Sequence, residues 1–363
     1  RKQSGSKYLL AVPPRFSSQT AQRIYNGPKY QDRHRSHKHN LMKRILSGVQ
    51  PSGKPHIGNY FGAIRQHIEM QKDYECFLFI ADLHALTTVR DANLMRQQTY
   101  DLAVTYLALG LDPEKTAFFK QSDLPEHAEL CWIFDCITTM PFLERAHAWK
   151  DAKAKGKKEA TVGLFNYPIL QTADILLYQP DLIPVGQDQK QHVEMARDIG
   201  INFNNTFGEV FKIPEPYIKE DVAVVPGTDR QKMSKSYGNT IEIFSTDTEL
   251  KKQVMGIVTD STPLEEPKDP TKCNVFALYK LVATPEETKT LAEKYQAGGF
   301  GYGDAKKSLL SKILEYFGPA RQKYQEIFPK KDYVYSVLEE GAKKAKKVAA
   351  KTLEEAKRKI GYL

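Results

Sequence analysis

"RILSGVQPSGKPHIGNYFGAIRQ", residues 44–66, joins two apolar runs through a loop rich in proline and glycine. Residues 44–49 have the apolar, partly β-branched character of a buried strand. After the loop, apolar residues recur at helical spacing, at Ile57, Phe61, Ile64 and Ile68. The stretch therefore predicts a strand, a loop and a helix in that order.

The same alternation continues along the chain. Residues 76–86, 116–122 and 182–186 are predicted as further buried strands, and residues 93–110 as a helix that ends at Gly110. Apolar strands separated by helices indicate an α/β fold, a Rossmann-like parallel sheet with helices on both faces. Ligands of such sheets bind at the carboxyl ends of the strands, where residues 47–59 would lie.

The loop after the first predicted strand has the composition of a phosphate site. Gly53 and Gly58 lack a Cβ and let a phosphate approach the backbone, while the start of the following helix offers unpaired N–H groups. His56 and Asn59 add polar side chains. A polyphosphate nest and a purely structural turn with surface His and Asn both fit this stretch taken alone.

A second polar loop, "DRQKMSKSYGN", occupies residues 229–239. Lys232 and Lys235 lie three residues apart in it, with Ser234 between them and Ser236 after them. Two mobile ammonium groups can neutralise the charge that develops on a departing pyrophosphate. A solvated charged loop is the alternative.

The charge of the chain is concentrated near its start. The 363 residues have a formal net charge of +9, and residues 1–31 contain six Lys or Arg and no Asp or Glu. We therefore predict a targeting leader and hinge over residues 1–43, with a nucleic-acid-binding arm as the alternative. No apolar run is long enough to span a bilayer, so we predict no membrane partner.

The four cysteines do not have the spacing of a metal site. Cys76, Cys131, Cys136 and Cys273 form no C-x-x-C pair and have no histidine partner at zinc spacing. We predict reduced core thiols and no protein-held metal.

"FNYPILQTADILLY", residues 165–178, places a carboxylate on an apolar face. Pro168 favours a helix start there, and Leu170, Ala173, Asp174 and Leu177 then share one side. A buried Asp174 needs a partner. An indole N–H would be one, and a site built on that bond rejects rings that lack the donor; an arginine pair or a loop cap is the alternative.

The remaining segments are predicted to be helical. Residues 124–163 are apolar enough for an inserted helical segment, whose charged part, 150–160, is either a lid in which Lys150 or Lys153 reaches phosphate or a solvated loop. Residues 241–363 follow as amphipathic helices of an all-α C-terminal bundle. The predicted domains are 1–43, 44–240 and 241–363.

Taken together, the "HIGN" motif at 56–59 and the "KMSKS" motif at 232–236 resemble the two signatures of the class I aminoacyl-tRNA synthetases. Within that class the chain is most similar to the bacterial and mitochondrial type of tryptophanyl-tRNA synthetase, through residues 47–53, 172–178 and 184–199. The resemblance covers residues 44–363. Asn59 stands where the class signature has a second histidine, which is usual in the tryptophan branch.

The resemblance implies a set of site residues. His56, Asn59, Lys232 and Lys235 would be catalytic, through positioning and charge stabilisation. Tryptophan would be held by Asp174 at the indole and by Tyr167 and Gln189 at the ammonium and carboxylate, with His84 lining the pocket. Gln171 stands where many bacterial members have a methionine. The implied ATP contacts are Gln50, Pro51, Ser52, Gly58, Asn59, Gly186, Gln187, Asp188, Val224, Lys232, Met233, Ser234, Lys235 and Ser236.

The resemblance also implies the reaction and the partners. These are the ATP- and Mg²⁺-dependent formation of tryptophanyl-adenylate, transfer to the 3′ ribose of tRNA(Trp), a homodimer formed through the insertion, and an anticodon-arm-binding region at 241–363. With the leader, we expect a mitochondrial matrix enzyme. The alternatives are a tyrosyl-tRNA synthetase, against which Asn59 and the lone Asp174 argue, another adenylyl-transferring enzyme, and a non-catalytic RNA-binding protein.

Overall fold

The computed structural model describes residues 42–146, 149–150, 161–218 and 224–363, with the backbone alone at Asp188. The predicted leader of residues 1–31, the hinge up to residue 41 and residues 151–160 of the predicted lid lie outside the described residues. Residues 42–363 form one compact unit.

The centre of this unit is a parallel sheet of five strands in the order β3-β2-β1-β4-β5. The strands are β1 (Arg44–Val49), β2 (Glu75–Ile80), β3 (Thr116–Lys120), β4 (Leu182–Pro184) and β5 (Glu215–Tyr217). The predicted Rossmann-like sheet is thus confirmed. The strand order reverses between β1 and β4, which opens a crevice beyond the carboxyl ends of these two strands.

Seven helices accompany the sheet within the described part of the first 210 residues. The helix after β1, α1, has three consecutive parts: α-helical Ile57–Asn59, π-helical Tyr60–Ile64 and α-helical Arg65–Met70. The others are α2 (Asp82–Ala85), α3 (Ala92–Leu109), α4 (Glu126–Asp135), α5 (Met140–Leu143), α6 (Val162–Leu177) and α7 (Lys190–Phe207). Gly110 caps α3 with φ +109°, as predicted.

Three of the sequence predictions are wrong in detail. The strand predicted over 116–122 ends at Lys120, because residues 121–123 form a 3-10 turn. The strand predicted over 76–86 ends at Ile80, because the chain turns into α2 at the edge of the sheet. Pro168 does not start a helix but lies inside α6, whose N-cap is Thr161; the Thr161 side chain accepts a hydrogen bond from the Leu164 N–H. Pro168 removes one backbone hydrogen bond, and the deep burial of α6 around it outweighs that loss.

The chain after residue 240 is helical, as predicted. It contains α8 (Asp247–Met255), α9 (Asn274–Val282), α10 (Pro285–Ala297), α11 (Tyr302–Ile327) and α12 (Lys331–Lys359). Helices α8–α11 share a core that also takes in Ile57 and Met233. In contrast, α12 packs on β3, where a Cβ at Gly341 would overlap the Phe118 carbonyl. The last helix therefore covers the sheet.

Two further properties bear on the sequence predictions. None of the helices within the described ranges is long and apolar enough to cross a membrane. Cys76, Cys131 and Cys273 are buried thiols, as predicted, whereas Cys136 is exposed. Cys136 caps the carboxyl end of α4, where the helix leaves the core.

Candidate active site

A cavity of about 540 Å³ opens beyond the carboxyl ends of β1 and β4. This is the position at which open parallel sheets bind ligands. Seven residues of the predicted site line it: Gln50, Ser52, His84, Tyr167, Asp174, Gly186 and Gln189. One cavity thus joins residues predicted for the nucleotide with residues predicted for the amino acid.

Asp174 lies on α6 at the cavity and is only 1% exposed. Its Oδ1 accepts hydrogen bonds from His127 Nδ1 and Gln121 Nε2, each over 2.7 Å, and its Oδ2 accepts one from His84 Nε2 over 2.8 Å. Two histidines and a glutamine therefore satisfy this carboxylate, not the arginine considered from the sequence. Since each carboxylate oxygen has two lone pairs, Oδ2 retains one acceptor position.

These hydrogen bonds also fix the charge of Asp174. Burial raises the pKa of this carboxyl, but the hydrogen bonds from His127 and His84 outweigh burial and bring the pKa to about 2. Asp174 is consequently an anion at neutral pH and only accepts hydrogen bonds. It can bind a ring N–H and has no proton to donate to a ring acceptor.

Tyr167 lies two turns before Asp174 on the same face of α6, about 10 Å along the helix axis. Its ring stands edge-on to His84, with ring centroids 6.1 Å apart. The Tyr167 hydroxyl oxygen lies 2.7 Å from Nε2 of His192 on α7. Gln171, three residues before Asp174, lines the same cavity. Tyr167, Gln171 and Asp174 thus place three polar side chains along the cavity wall, about one helical turn apart.

His56 and Asn59 cap the start of α1 reciprocally. The His56 backbone N–H donates to Asn59 Oδ1 over 3.1 Å, and the Asn59 backbone N–H donates to His56 Nδ1 over 3.2 Å. The sequence predicted that both side chains would contact a ligand. In the structure the helix cap already uses one atom of each side chain, Nδ1 of His56 and Oδ1 of Asn59. The cap leaves Nε2 of His56 and Nδ2 of Asn59 unused, and neither residue is among those that line the cavity.

The His56 ring belongs to a residue that is 4% exposed. Burial and the nearby Lys235 ammonium lower the pKa of His56 to about 4. The ring is therefore neutral at pH 7. Because Nδ1 accepts a backbone hydrogen bond, the ring proton lies on Nε2, where it can be donated to a phosphate oxygen.

The KMSKS motif docks on the first motif. Met233 is buried, and its Sδ accepts a hydrogen bond from the Gly58 N–H over 3.3 Å. The Lys235 ammonium donates to the carbonyl of Ser52. Partial burial of this ammonium lowers the pKa of Lys235 to about 8. The Met233 side chain therefore joins the two motifs, and neither it nor the Gly58 N–H is open to a nucleotide in this arrangement.

Asn239 holds the KMSKS loop in shape. It is 2% exposed, its Oδ1 accepts the Ser234 N–H over 2.8 Å, and its Nδ2 donates to the Lys232 carbonyl over 3.1 Å. The Ser234 and Ser236 hydroxyls lie 2.8 Å apart. Lys232 itself is exposed.

Of the residues predicted for ATP whose side chains are described, only Gln50, Ser52 and Gly186 line the cavity. Gly186 borders the cavity, and Gln187 and Asp188 follow it in a 3-10 turn before α7. The side chain of Asp188 lies outside the described part. Pro51 is buried, and Val224 is 67% exposed.

Sequence reasoning missed four residues of this site: Gln121, His127, His192 and Asn239. Gln121 directly follows β3, so the rule that places ligand groups at the carboxyl ends of strands would have found it. Asn239 is the last residue of the polar loop 229–239 that contains the KMSKS motif. Nothing in the sequence around His127 and His192 marks either side chain as part of a site, because each of these side chains acts through a hydrogen bond to a site residue on another helix.

The chain is similar to known proteins over most of its length. Residues 38–318 match a family described as tRNA synthetases class I (W and Y). The chain is 53% identical over 323 residues to the tryptophan–tRNA ligase of Fusobacterium nucleatum, covering 89% of this chain and 99% of that protein. It is 52% identical over 318 residues to the tryptophan–tRNA ligase of Rhodopirellula baltica, covering 88% and 99% respectively.

Solved structures of tRNA synthetases are also similar to this chain. The tryptophanyl-tRNA synthetase of Campylobacter jejuni complexed with ADP and tryptophan matches with a TM-score of 0.84 and 49% identity, over 88% of this chain and 99% of that one. The tyrosyl-tRNA synthetase of Archaeoglobus fulgidus complexed with tyrosine matches with a TM-score of 0.58 and 20% identity, over 78% of this chain and 90% of that one. The second likeness is one of fold alone.

Proposed function

The chain belongs to the class I tRNA synthetases and is a tryptophan–tRNA ligase of the bacterial type, and we propose that the cavity between β1 and β4 performs both steps of that reaction. In the first, a carboxylate oxygen of tryptophan attacks the α-phosphorus of ATP. The bond from that phosphorus to the bridging oxygen breaks, and pyrophosphate leaves. In the second, a 3′-terminal ribose hydroxyl of tRNA(Trp) attacks the activated carbonyl, and AMP leaves.

The observation that carries this proposal is the buried anion Asp174 at the cavity. Its Oδ2 has an acceptor position for the indole N–H, and its three protein donors hold it in place. A phenol hydroxyl both donates and accepts, so it would prefer a donor beside the acceptor at this point, and Asp174 supplies only an acceptor. Tyr167 and Gln189, which line the same cavity, receive the ammonium and carboxylate of the substrate.

The nucleotide lies across the two motifs in this proposal. His56 Nε2 and the Asn59 amide donate to phosphate oxygens, and Lys232 and Lys235 neutralise the charge that develops on pyrophosphate. Lys235 leaves the Ser52 carbonyl for the phosphates when ATP binds. Gln50, Ser52 and the 186–188 turn border the nucleotide.

We propose that Mg²⁺ enters on the phosphates of ATP, as part of the substrate. Within the described residues, no three His, Cys, Asp or Glu side chains are grouped to hold a metal ion. The phosphate oxygens of ATP are hard ligands of the kind that Mg²⁺ prefers.

The test is ATP–pyrophosphate exchange with each of the twenty amino acids. We expect exchange with tryptophan alone. Exchange with tyrosine would keep the fold and mechanism and change the substrate assigned to the pocket. RNA binding by folded protein without exchange for any amino acid would favour the non-catalytic alternative.

We further propose that the enzyme works as a homodimer through the insertion. Trp132 on α4 and Met140 on α5, both within the insertion, are 64% and 62% exposed, so each leaves a large apolar surface that a second copy of the chain can cover. We expect Trp132→Arg to shift the mass measured by light scattering from dimer to monomer. Leu264→Arg, a matched control because Leu264 is 52% exposed outside the insertion, should not.

Residues 241–363 are proposed to bind the anticodon arm of tRNA(Trp). Lys347 and Lys351 lie exposed one turn apart on α12, where two ammonium groups can meet phosphates. The double variant Lys347→Glu, Lys351→Glu should weaken aminoacylation of tRNA at least tenfold and leave pyrophosphate exchange intact. Lys72→Glu, an exposed lysine after α1, is the matched control.

Residues 1–31 are proposed to direct the enzyme to the mitochondrial matrix, because they combine six basic residues with none that are acidic. Fused to a fluorescent protein, they should carry it into mitochondria. The chain lacking residues 1–31 should keep full exchange activity. Loss of adenylation in that truncated protein would contradict the proposal.

A further inference from the structure

His192 lies behind the cavity wall and reaches the cavity through another residue. It lies on α7, is 6% exposed, and is not among the residues that line the cavity. Its Nε2 lies 2.7 Å from the hydroxyl oxygen of Tyr167, which does line the cavity. The two ring centroids are 5.5 Å apart at an interplanar angle of 41°, so the imidazole is held beside the phenol.

The direction of this hydrogen bond affects what the Tyr167 hydroxyl presents to the cavity. A tyrosine hydroxyl has one hydrogen to donate and two lone pairs to accept with, whereas an ammonium group only donates. When the Tyr167 hydrogen is given to an acceptor on the protein side, the hydroxyl oxygen can act towards the cavity only as an acceptor. When the protein side supplies a donor instead, one lone pair is used and the hydroxyl hydrogen is free to turn towards the ammonium, which weakens acceptance.

We propose that His192 is a positioning residue for the amino acid substrate: its unprotonated Nε2 accepts the hydroxyl hydrogen of Tyr167, so that the hydroxyl oxygen accepts a hydrogen bond from the substrate ammonium. The inference rests on the proposed function, which assigns Tyr167 to the ammonium. The position of Tyr167 two turns from Asp174 on α6 suits one ligand that spans both residues. His192 thus makes the Tyr167 hydroxyl a hydrogen-bond acceptor towards the cavity without lining the cavity itself.

The test separates the ammonium from the rest of the substrate. His192→Leu should raise the KM for tryptophan roughly tenfold, the cost of about one hydrogen bond, and change the KM for ATP less than about twofold. Tryptamine, which has the ammonium and lacks the carboxylate, should inhibit about tenfold less well. Indole-3-propionate, which has the carboxylate and lacks the ammonium, should inhibit as before. His192→Gln, whose side-chain carbonyl can accept the Tyr167 hydrogen, should recover most of the loss.

A double-variant cycle tests whether His192 acts through Tyr167. In a Tyr167→Phe background, His192→Leu should change tryptamine inhibition less than about twofold. Multiplicative losses in the double variant, or equal weakening of both inhibitors by His192→Leu, would overturn the inference and leave His192 a packing residue. If Tyr167→Phe by itself does not weaken tryptamine, the assignment of Tyr167 fails first. His192→Met, a second apolar variant, replaces His192→Leu if thermal unfolding shows that protein to be misfolded.

Discussion

Replacing Asp174 by asparagine should remove the selectivity for an indole N–H while keeping the shape of the pocket. Oδ1 of Asp174 accepts two hydrogen bonds, from Gln121 and His127, so the amide oxygen of the substituted side chain is expected at that position. The amide nitrogen then occupies the Oδ2 position, where His84 donates now. A donor there faces the indole N–H.

The expected loss follows from the bonds that change. One hydrogen bond to a charged acceptor disappears, and two donors face each other in a site where Asp174 is 1% exposed. Such a change costs about 3 kcal/mol, which is roughly a 150-fold fall in kcat/KM for tryptophan. The loss should be confined to substrates that bring an N–H to this position.

The assay is ATP–pyrophosphate exchange with tryptophan and with β-(benzothiophen-3-yl)alanine, in which sulfur replaces the indole N–H. The wild-type enzyme should prefer tryptophan strongly, and the Asp174→Asn variant should lose most of that preference. Asp181→Asn is the control, because Asp181 precedes β4 at the opposite end of the strand from the cavity and pairs with Lys212. It should leave the preference unchanged.

Two outcomes would contradict a hydrogen bond between Asp174 and the indole N–H. If the Asp174→Asn enzyme folds, binds ATP and retains the full preference for tryptophan over the sulfur analogue, the indole N–H is read elsewhere. An equal fall for both substrates would show that Asp174 supports the pocket without contacting the ring nitrogen.

Three other predictions follow from single contacts. The ammonium of Lys235 has a pKa of about 8, so kcat/KM for ATP should fall as the pH rises through 8 and this ammonium loses its charge. Lys235→Arg stays charged at these pH values, so the fall in kcat/KM above pH 8 should disappear in that variant. Gly341→Ala should lower the free energy of unfolding in guanidinium by about 3 kcal/mol, since the new Cβ would meet the Phe118 carbonyl. Gly318→Ala is the control, because a Cβ at Gly318 would have no atom nearby, and it should not lower that free energy. Equal effects of the two substitutions would contradict the close packing of α12 on β3. Lys268→Met should cost about 2 kcal/mol of unfolding free energy, because the buried ammonium donates to three carbonyls between residues 263 and 266, whereas exposed Lys272→Met should cost almost nothing.

Local sequence predicted most of the secondary structure. The strands β1, β3 and β4, the helix α3 with its Gly110 cap, and the helices after residue 240 follow from periodicity and capping residues that lie within a few positions of one another. The errors arose where tertiary packing outweighed a local preference. Pro168 inside α6 is one example, and the turn of residues 82–85 into α2 is another.

The sequence by itself determined that an α/β sheet brings residues 47–59 and 186–188 to its carboxyl edge, and it identified Asp174 as a buried carboxylate that needs partners. It did not determine those partners, because His84, Gln121 and His127 lie 90, 53 and 47 positions away from Asp174. Only the tertiary structure brought His192 to Tyr167 and Met233 to Gly58. Such contacts depend on how the helices cross the sheet, and those angles are set by the packing of the whole core, whereas strand and helix periods are set by neighbouring residues.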